Sequence, residues 1–356
     1  MTIGSTATKE ARWPALKGGF LALGAAALFG VSTPLVQRAG AHLGAFTTAA
    51  LLYGGAAFIG ALVRRPVERE ATVQLADAPR LAWMALVGAA IGPAALAWGL
   101  QRTSGTSASL MLALEALFTA LLARWCYDEA MDRRVWLAML LLMAGGMTLV
   151  LDRGAAGGPQ LWGTLAVLLA TAAWGVDNAL SRALAERDPG QVVMLKSLLG
   201  AAATTVLAFA VKEPAPAWRQ TLALLTIGAT GYGLSLRLYL LAQRSFGAAR
   251  TGSVFAFAPF IGALLAVALG DRGPSIGTAL GGALMLAGVA LHLAELHSHE
   301  HAHEALEHEH AHVHSDDHHD HVHALEPVDP HSHWHRHAPR EHAHPHVPDA
   351  HHAHKH

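Results

Sequence analysis

The chain has 356 residues, 53% hydrophobic and only 14% charged, which is too few charges to coat a soluble globule of this length. A membrane protein with many spans is the expected class, with the lipid bilayer as its first partner and no nucleic-acid partner. The formal net charge of −1 hides two opposed parts. Residues 1–296 hold 22 Lys and Arg against 15 Asp and Glu, a net of +7, and residues 297–356 hold 3 against 11, a net of −8. Cys126 is the only cysteine, so no disulfide can form within the chain.

The first sixteen residues are mixed polar, with Lys9, Glu10 and Arg12, and precede the first apolar run without a cleavage-like site. That run is read as a retained helix and not a signal peptide. Apolar stretches of the length a helix needs to cross the hydrocarbon core fall near 17–37, 44–63, 80–101, 106–125, 133–151, 161–184, 191–211, 219–242, 249–269 and 274–295. The expected fold is an all-α membrane protein with ten transmembrane helices. With the N-terminus inside, fourteen of the Lys and Arg residues between these stretches fall on the inner side and six on the outer side. The positive-inside rule then places both termini in the cytoplasm of a cell with an inner membrane.

An internal repeat organises the chain. TALLA at 119–123 recurs as GALLA at 262–266, 143 residues later, and the same offset carries Asp128 onto Asp271, Ala144 onto Ala287 and Gly145 onto Gly288. Phe29-Gly30-Val31 similarly aligns with Trp174-Gly175-Val176 at an offset of 145. Five helices per copy is an odd number, so the second copy enters the membrane from the opposite side. Such an inverted repeat is the plan of many secondary transporters, with a site near the midplane where the copies meet. The domains expected are a cytoplasmic N-terminus (1–16), a first five-helix repeat (17–151), a second (161–295) and a C-terminal tail (297–356).

The 5+5 pattern and the TALLA…DE…AGG block, with its GALLA…GDR…AG counterpart, resemble the EamA-type drug/metabolite transporter superfamily. The resemblance covers roughly residues 18–294 and implies a multi-pass carrier of a small molecule. Members often carry proline just before this block; Pro259 stands there in the second copy, whereas the first copy has Glu115-Ala116.

Four charges lie inside expected helices: Glu115, Asp177, Lys196 and Arg237. A carboxylate halfway along a span costs roughly 2.5–3.5 kcal/mol on insertion scales, so Glu115 needs a partner or a purpose. One reading gathers Glu115, Asp177, Asn178, Trp174, Lys196, Tyr232, Ser235 and Arg237 around a central substrate cavity in which Glu115 loads and releases a proton. The other makes Glu115 a fixed ion pair with Lys196 or Arg237, and Lys196 by itself could be an interfacial lysine snorkelling to the headgroups. Met139, Met143 and Met147 are read as packing. No ATP-binding P-loop and no catalytic constellation is present, so no enzyme is expected.

From His297 onward the chain changes character, with 23 of its 25 histidines in the last 60 residues. The tract is duplicated: 297–314 aligns with 331–348 at an offset of 34, superposing His297 on His331, His299 on His333, His301 on His335, His303 on His337, His308 on His342, His310 on His344 and His312 on His346. It lacks the apolar periodicity of a core and is expected to be disordered without ligand. Imidazole suits Zn, Ni, Co and Cu, so these fourteen residues are the expected metal ligands, with no obligatory cofactor. A pH-responsive tail is the competing reading. Three functions therefore stand: a metabolite exporter with a metal-binding regulatory tail, a transition-metal efflux transporter, and a membrane-anchored metal reservoir that transports nothing. A homodimer is compatible with each.

Overall fold

The computed structural model describes residues 12–64, 71–127, 131, 133–155, 157–184, 187–246, 248–271, 275–293, 298–303, 306–312, 331–337 and 340–345. The N-terminal residues 1–11 and the expected ligands His297 and His346 lie outside the described residues. The body is all-helical. Its helices are α1 (Arg12–Ala39), α2 (Ala45–Leu62), α3 (Ala78–Met84), α4 (Gly92–Leu100), α5 (Gly105–Met111), α6 (Leu114–Tyr127) and α7 (Arg133–Ala155). They continue with α8 (Gly158–Ser181), α9 (Pro189–Ala210), α10 (Trp218–Ile227), α11 (Ser235–Phe246), α12 (Ala248–Phe255), α13 (Ala258–Ala268) and α14 (Ile276–Leu293). Among the described residues, eight stretches are long and apolar enough to span a bilayer, and two shorter apolar helices, Ala258–Ala268 and Ile276–Leu291, follow them. The protein is thus a multi-pass membrane protein.

Several expected continuous helices are interrupted, and the interruptions repeat. The third stretch passes from α3 to α4 through a π-helical segment, Ala85–Ile91, and the eighth passes from α10 to α11 through another, Gly228–Leu234. These segments are separated by the same 143 residues that relate TALLA to GALLA. The fourth stretch breaks at Leu112-Ala113 between α5 and α6, and the ninth breaks at Ala256-Phe257 between α12 and α13. Hydropathy does not register either kind of interruption, because a π turn or a two-residue break leaves the apolar composition unchanged.

Close backbone contacts hold the helices where no hydrophobic effect drives them together. Gly30 on α1 and Gly262 on α13 face each other: a Cβ on Gly262 would meet the Gly30 carbonyl oxygen at 2.7 Å and Ser109 Oγ at 2.9 Å. Gly145 on α7 and Gly281 on α14 are reciprocal, with a Cβ on Gly145 falling 2.7 Å from the Gly281 carbonyl oxygen and one on Gly281 3.0 Å from the Gly145 carbonyl oxygen. Gly262→Val is therefore expected to push α13 off α1 and to cost about 1–3 kcal/mol. Thermal unfolding in detergent measures this; an unchanged midpoint would show that the contact is dispensable.

Carboxylates clasp the helix starts on one side of the body. Asp271 accepts from the backbone N–H and the hydroxyl of Thr106, in the first turn of α5, at 2.8 and 2.7 Å. Glu213 accepts from Phe46 N at 3.1 Å and from Thr47 N and Oγ1 at 2.7 Å in the first turn of α2. A negative charge there satisfies unpaired N–H groups and meets the positive end of the helix dipole. Gln37 Nε2 donates to the Leu100 and Thr103 carbonyls at 2.8 and 3.0 Å, and Gln101 Nε2 donates to the Leu43 carbonyl at 2.7 Å. The α1–α2, α4–α5 and α9–α10 connections and the end of α13 are thereby tied together.

The tail differs from its expectation. Four short strands are described: β1 (Ser298–His303), β2 (Leu306–His312), β3 (His331–His337) and β4 (Arg340–Pro345). β1 pairs antiparallel with β4, and β2 with β3. The tract cannot build a core, but its His-x-His alternation has the period of a strand.

Candidate functional site

The break in the fourth stretch sets the geometry of the site. α6 restarts at Leu114, so Glu115 lies in its first turn, where the helix dipole favours a carboxylate. In the second copy α13 restarts at Ala258 with Pro259 in its first turn, a position that has no N–H partner to lose. The Glu115-Ala116 and Ala258-Pro259 pairs noticed in the sequence are thus the two restart points of broken helices.

A cavity lies beside the Glu115 restart. Its lining includes Phe29 from α1, Tyr53 from α2, Glu115, Trp174, Asp177 and Asn178 from α8, Lys196 from α9, Tyr232, Ser235 and Tyr239 from the eighth stretch, and Phe255 from α12. Of the eight expected site residues, all but Arg237 belong to this lining. Arg237 is half-buried on α11, one helical position beyond Leu236, which does line the cavity. Phe29, Tyr53 and Phe255 were not among the expected site residues, because an aromatic residue on an apolar helix looks the same whether it faces lipid, core or cavity.

The charges do not form the Glu115 ion pair that one sequence reading allowed. Lys196 Nζ donates to Asp177 Oδ2, and both residues are buried. Lys196 is therefore neither snorkelling nor the partner of Glu115. Glu115 Oε1 instead accepts from Asn178 Nδ2 at 2.6 Å. Asp177 and Asn178, adjacent on α8, thus serve the buried lysine and the mid-membrane glutamate respectively. Asp177 Oδ1 is buried without a hydrogen-bond partner among the described residues.

The aromatic residues form one cluster. Phe29 meets Trp174 and Tyr232 edge-on, each with ring centroids 5.9 Å apart, and Tyr53 and Trp174 lie 5.6 and 6.2 Å from Tyr232. Edge-to-face pairs at such distances add favourable quadrupole contacts to their apolar burial. The π segment helps to hold them: the Gly88 carbonyl, within Ala85–Ile91, accepts from Tyr53 Oη at 2.6 Å and Trp174 Nε1 at 2.9 Å. Gly88 and Gly92 also make room for the site. A Cβ at Gly88 would reach Asp177 Oδ2 at 2.5 Å, and one at Gly92 would reach Trp174 Nε1 at 2.9 Å. The segment 88–92 therefore backs two residues of the cavity wall, Asp177 and Trp174.

The cavity is displaced from the carboxylate-clasped side. Asn178, Lys196, Tyr239 and Phe255 each lie within about two turns of the connection between α8 and α9 or between α11 and α12, at the opposite helix ends. Its volume of about 80 Å³ has room for a handful of waters, far below the ~300–1,000 Å³ of a cavity that encloses an organic ligand. No His or Cys belongs to this lining, and no group of three or more metal-ligating side chains occurs among the described residues of the helical body.

The family model for EamA-like transporters matches the chain twice, over residues 16–151 and 161–294. The chain belongs to the EamA-like transporter family. The two matches coincide with the two halves that repeat the π segment and the broken helix. An uncharacterized transporter of Methanothermobacter thermautotrophicus is 27% identical over 237 residues, which are 64% of this chain and 68% of that protein. The probable 4-amino-4-deoxy-L-arabinose-phosphoundecaprenol flippase subunit ArnE of Pseudomonas paraeruginosa is 41% identical over 63 residues, spanning 18% of this chain and 55% of the relative. A solved crystal structure at 21% identity has the same fold, with a TM-score of 0.57 over 78% of this chain and 94% of the other.

Proposed function

We propose that this EamA-family protein is an inner-membrane secondary transporter that exports a small organic solute by alternating access, with ten spans in two inverted repeats and both termini in the cytoplasm. The observation that carries this reading is the cavity: aromatic walls, the Glu115–Asn178 contact and the Asp177–Lys196 pair, meeting where the two halves pack. Aromatic faces with a few fixed polar groups match an organic solute. Borderline metal ions call for imidazole or thiolate, which this lining does not contain. Asp177 Oδ1 is a buried acceptor still open to a donor from the solute.

The conformation supports alternating access. The Asp271 and Glu213 clasps close one side, and the cavity lies towards the other while remaining too small to enclose a metabolite. Loading a solute then requires the walls to part, and release on the far side requires the clasps to open. Exchange of the solute against a proton on Glu115 would supply the driving force.

The tail supports a second reading, transition-metal efflux, because its histidines are the chain's concentrated store of metal-binding groups. Removing residues 297–356 separates the readings. In an organic-solute exporter with a regulatory tail, the truncated protein in reconstituted vesicles retains solute exchange and loses only its response to added Zn(II) or Ni(II). Loss of metal tolerance in cells, with solute flux unaltered by any substitution in the cavity, would favour metal efflux instead.

A further inference from the structure

The register of the tail strands carries information that the repeat alone does not. In the β1·β4 pair His299 stands opposite His344, and His301 opposite His342. In the β2·β3 pair His308 stands opposite His335, His310 opposite His333, and His312 opposite His331. One register runs through both pairs, and it always sets an odd-numbered residue against an even-numbered one. Histidine can meet histidine in such a register only if its phase changes within each copy. Both copies make that change: odd positions through 303 and 337, then even positions from 308 and 342. The first half of one copy therefore pairs with the second half of the other.

The positions between the histidines suit the same register. Glu307 stands opposite Arg336, and Glu309 opposite Trp334, while Glu300 stands opposite Ala343 and Glu341 opposite Ala302. Acid nowhere faces acid, and the one acid–base pair is directly opposed, which stabilises antiparallel strands. Histidine facing histidine has the opposite tendency when protonated, since like charges across a ladder repel. A two-stranded ribbon is also only marginally stable in water without something to fasten it. Positions two apart on one strand share a face at roughly 6.6–6.8 Å, and opposed positions lie about 4.5–5.5 Å apart. Two adjacent rungs thus gather four histidine positions on one face, two from each copy of the repeat, at a scale suited to a borderline divalent cation.

We infer that the tail holds two such cation sites, one on the β1·β4 ladder at His299, His301, His342 and His344 and one on the β2·β3 ladder, each assembled from both copies and fastening the ribbon when filled. This rests on the reading of the tail as metal-binding and deepens it, because independent His-x-His pairs would each take ions alone.

Equilibrium dialysis of the purified full chain in detergent against Zn(II) at neutral pH tests the sharing. His299→Ala with His301→Ala, and separately His342→Ala with His344→Ala, should each remove one tightly bound ion. All four substitutions together should remove that same one ion and no more. Loss of two ions in the fourfold variant would overturn the shared site while leaving a metal-binding tail. The absence of tight zinc from the unsubstituted chain, with residues 297–356 truncated as the reference, would overturn the metal reading and the shared sites together. The same cycle with His308→Ala and His310→Ala against His333→Ala and His335→Ala reports on the second ladder.

Discussion

Lys196→Met is expected to destabilise the protein by about 3–5 kcal/mol, the usual cost of leaving one member of a buried pair without its counter-charge. Asp177 would keep its carboxylate in the cavity wall with Oδ1 already unpartnered and Oδ2 newly so. Adding Asp177→Asn should recover most of the loss, because the double variant contains no buried charge at this position. Thermal unfolding of the two variants in detergent measures both changes. A single variant as stable as the parent would mean that the pair does not fasten α8 to α9, and that Asp177 finds another partner or sheds its charge.

The second large effect is on transport. Glu115→Gln retains an amide oxygen to accept from Asn178 Nδ2, so the fold should change by no more than about 1 kcal/mol, the net value of one such hydrogen bond. The substituted side chain cannot carry a proton across its working range. In vesicles, an imposed pH gradient should accelerate solute exchange by the parent protein and leave the Glu115→Gln protein unresponsive, while exchange without a gradient persists. An intact pH response in the variant would remove Glu115 from coupling and leave it a structural acid placed at a helix restart. The Asn178 contact favours a coupling role over a fixed ion pair, since a neutral amide can hold either protonation state, whereas a lysine would hold the carboxylate ionised.

These two residues show how far the sequence reached. Composition and hydropathy determined the membrane class, because bilayer-length apolar runs with so few charges between them call for lipid as their solvent. The repeat was legible too, since duplicated helices keep recognisable residues at fixed offsets such as TALLA and GALLA. The cost of intramembrane charge marked Glu115, Asp177, Lys196 and Arg237 as groups in need of a partner or a polar cavity, but it left open which of them meet and whether Lys196 snorkels to the headgroups.

Which group pairs with which was decided only in three dimensions. Lys196 takes Asp177 rather than Glu115 because α8 and α9 both pack on the Ala85–Ile91 π segment, whose small residues let the two side chains meet, and the break at Leu112-Ala113 sets Glu115 beside Asn178. The break, the two π segments and the aromatic cluster of Phe29, Tyr53, Trp174 and Tyr232 leave no mark on an apolar profile, since they alter backbone path and facing without altering hydrophobicity. The tail presents the converse case. Its alternating histidines are plain in the sequence, but alternation along one strand cannot say what lies across from it, and only the pairing of one copy with the other sets histidine against histidine.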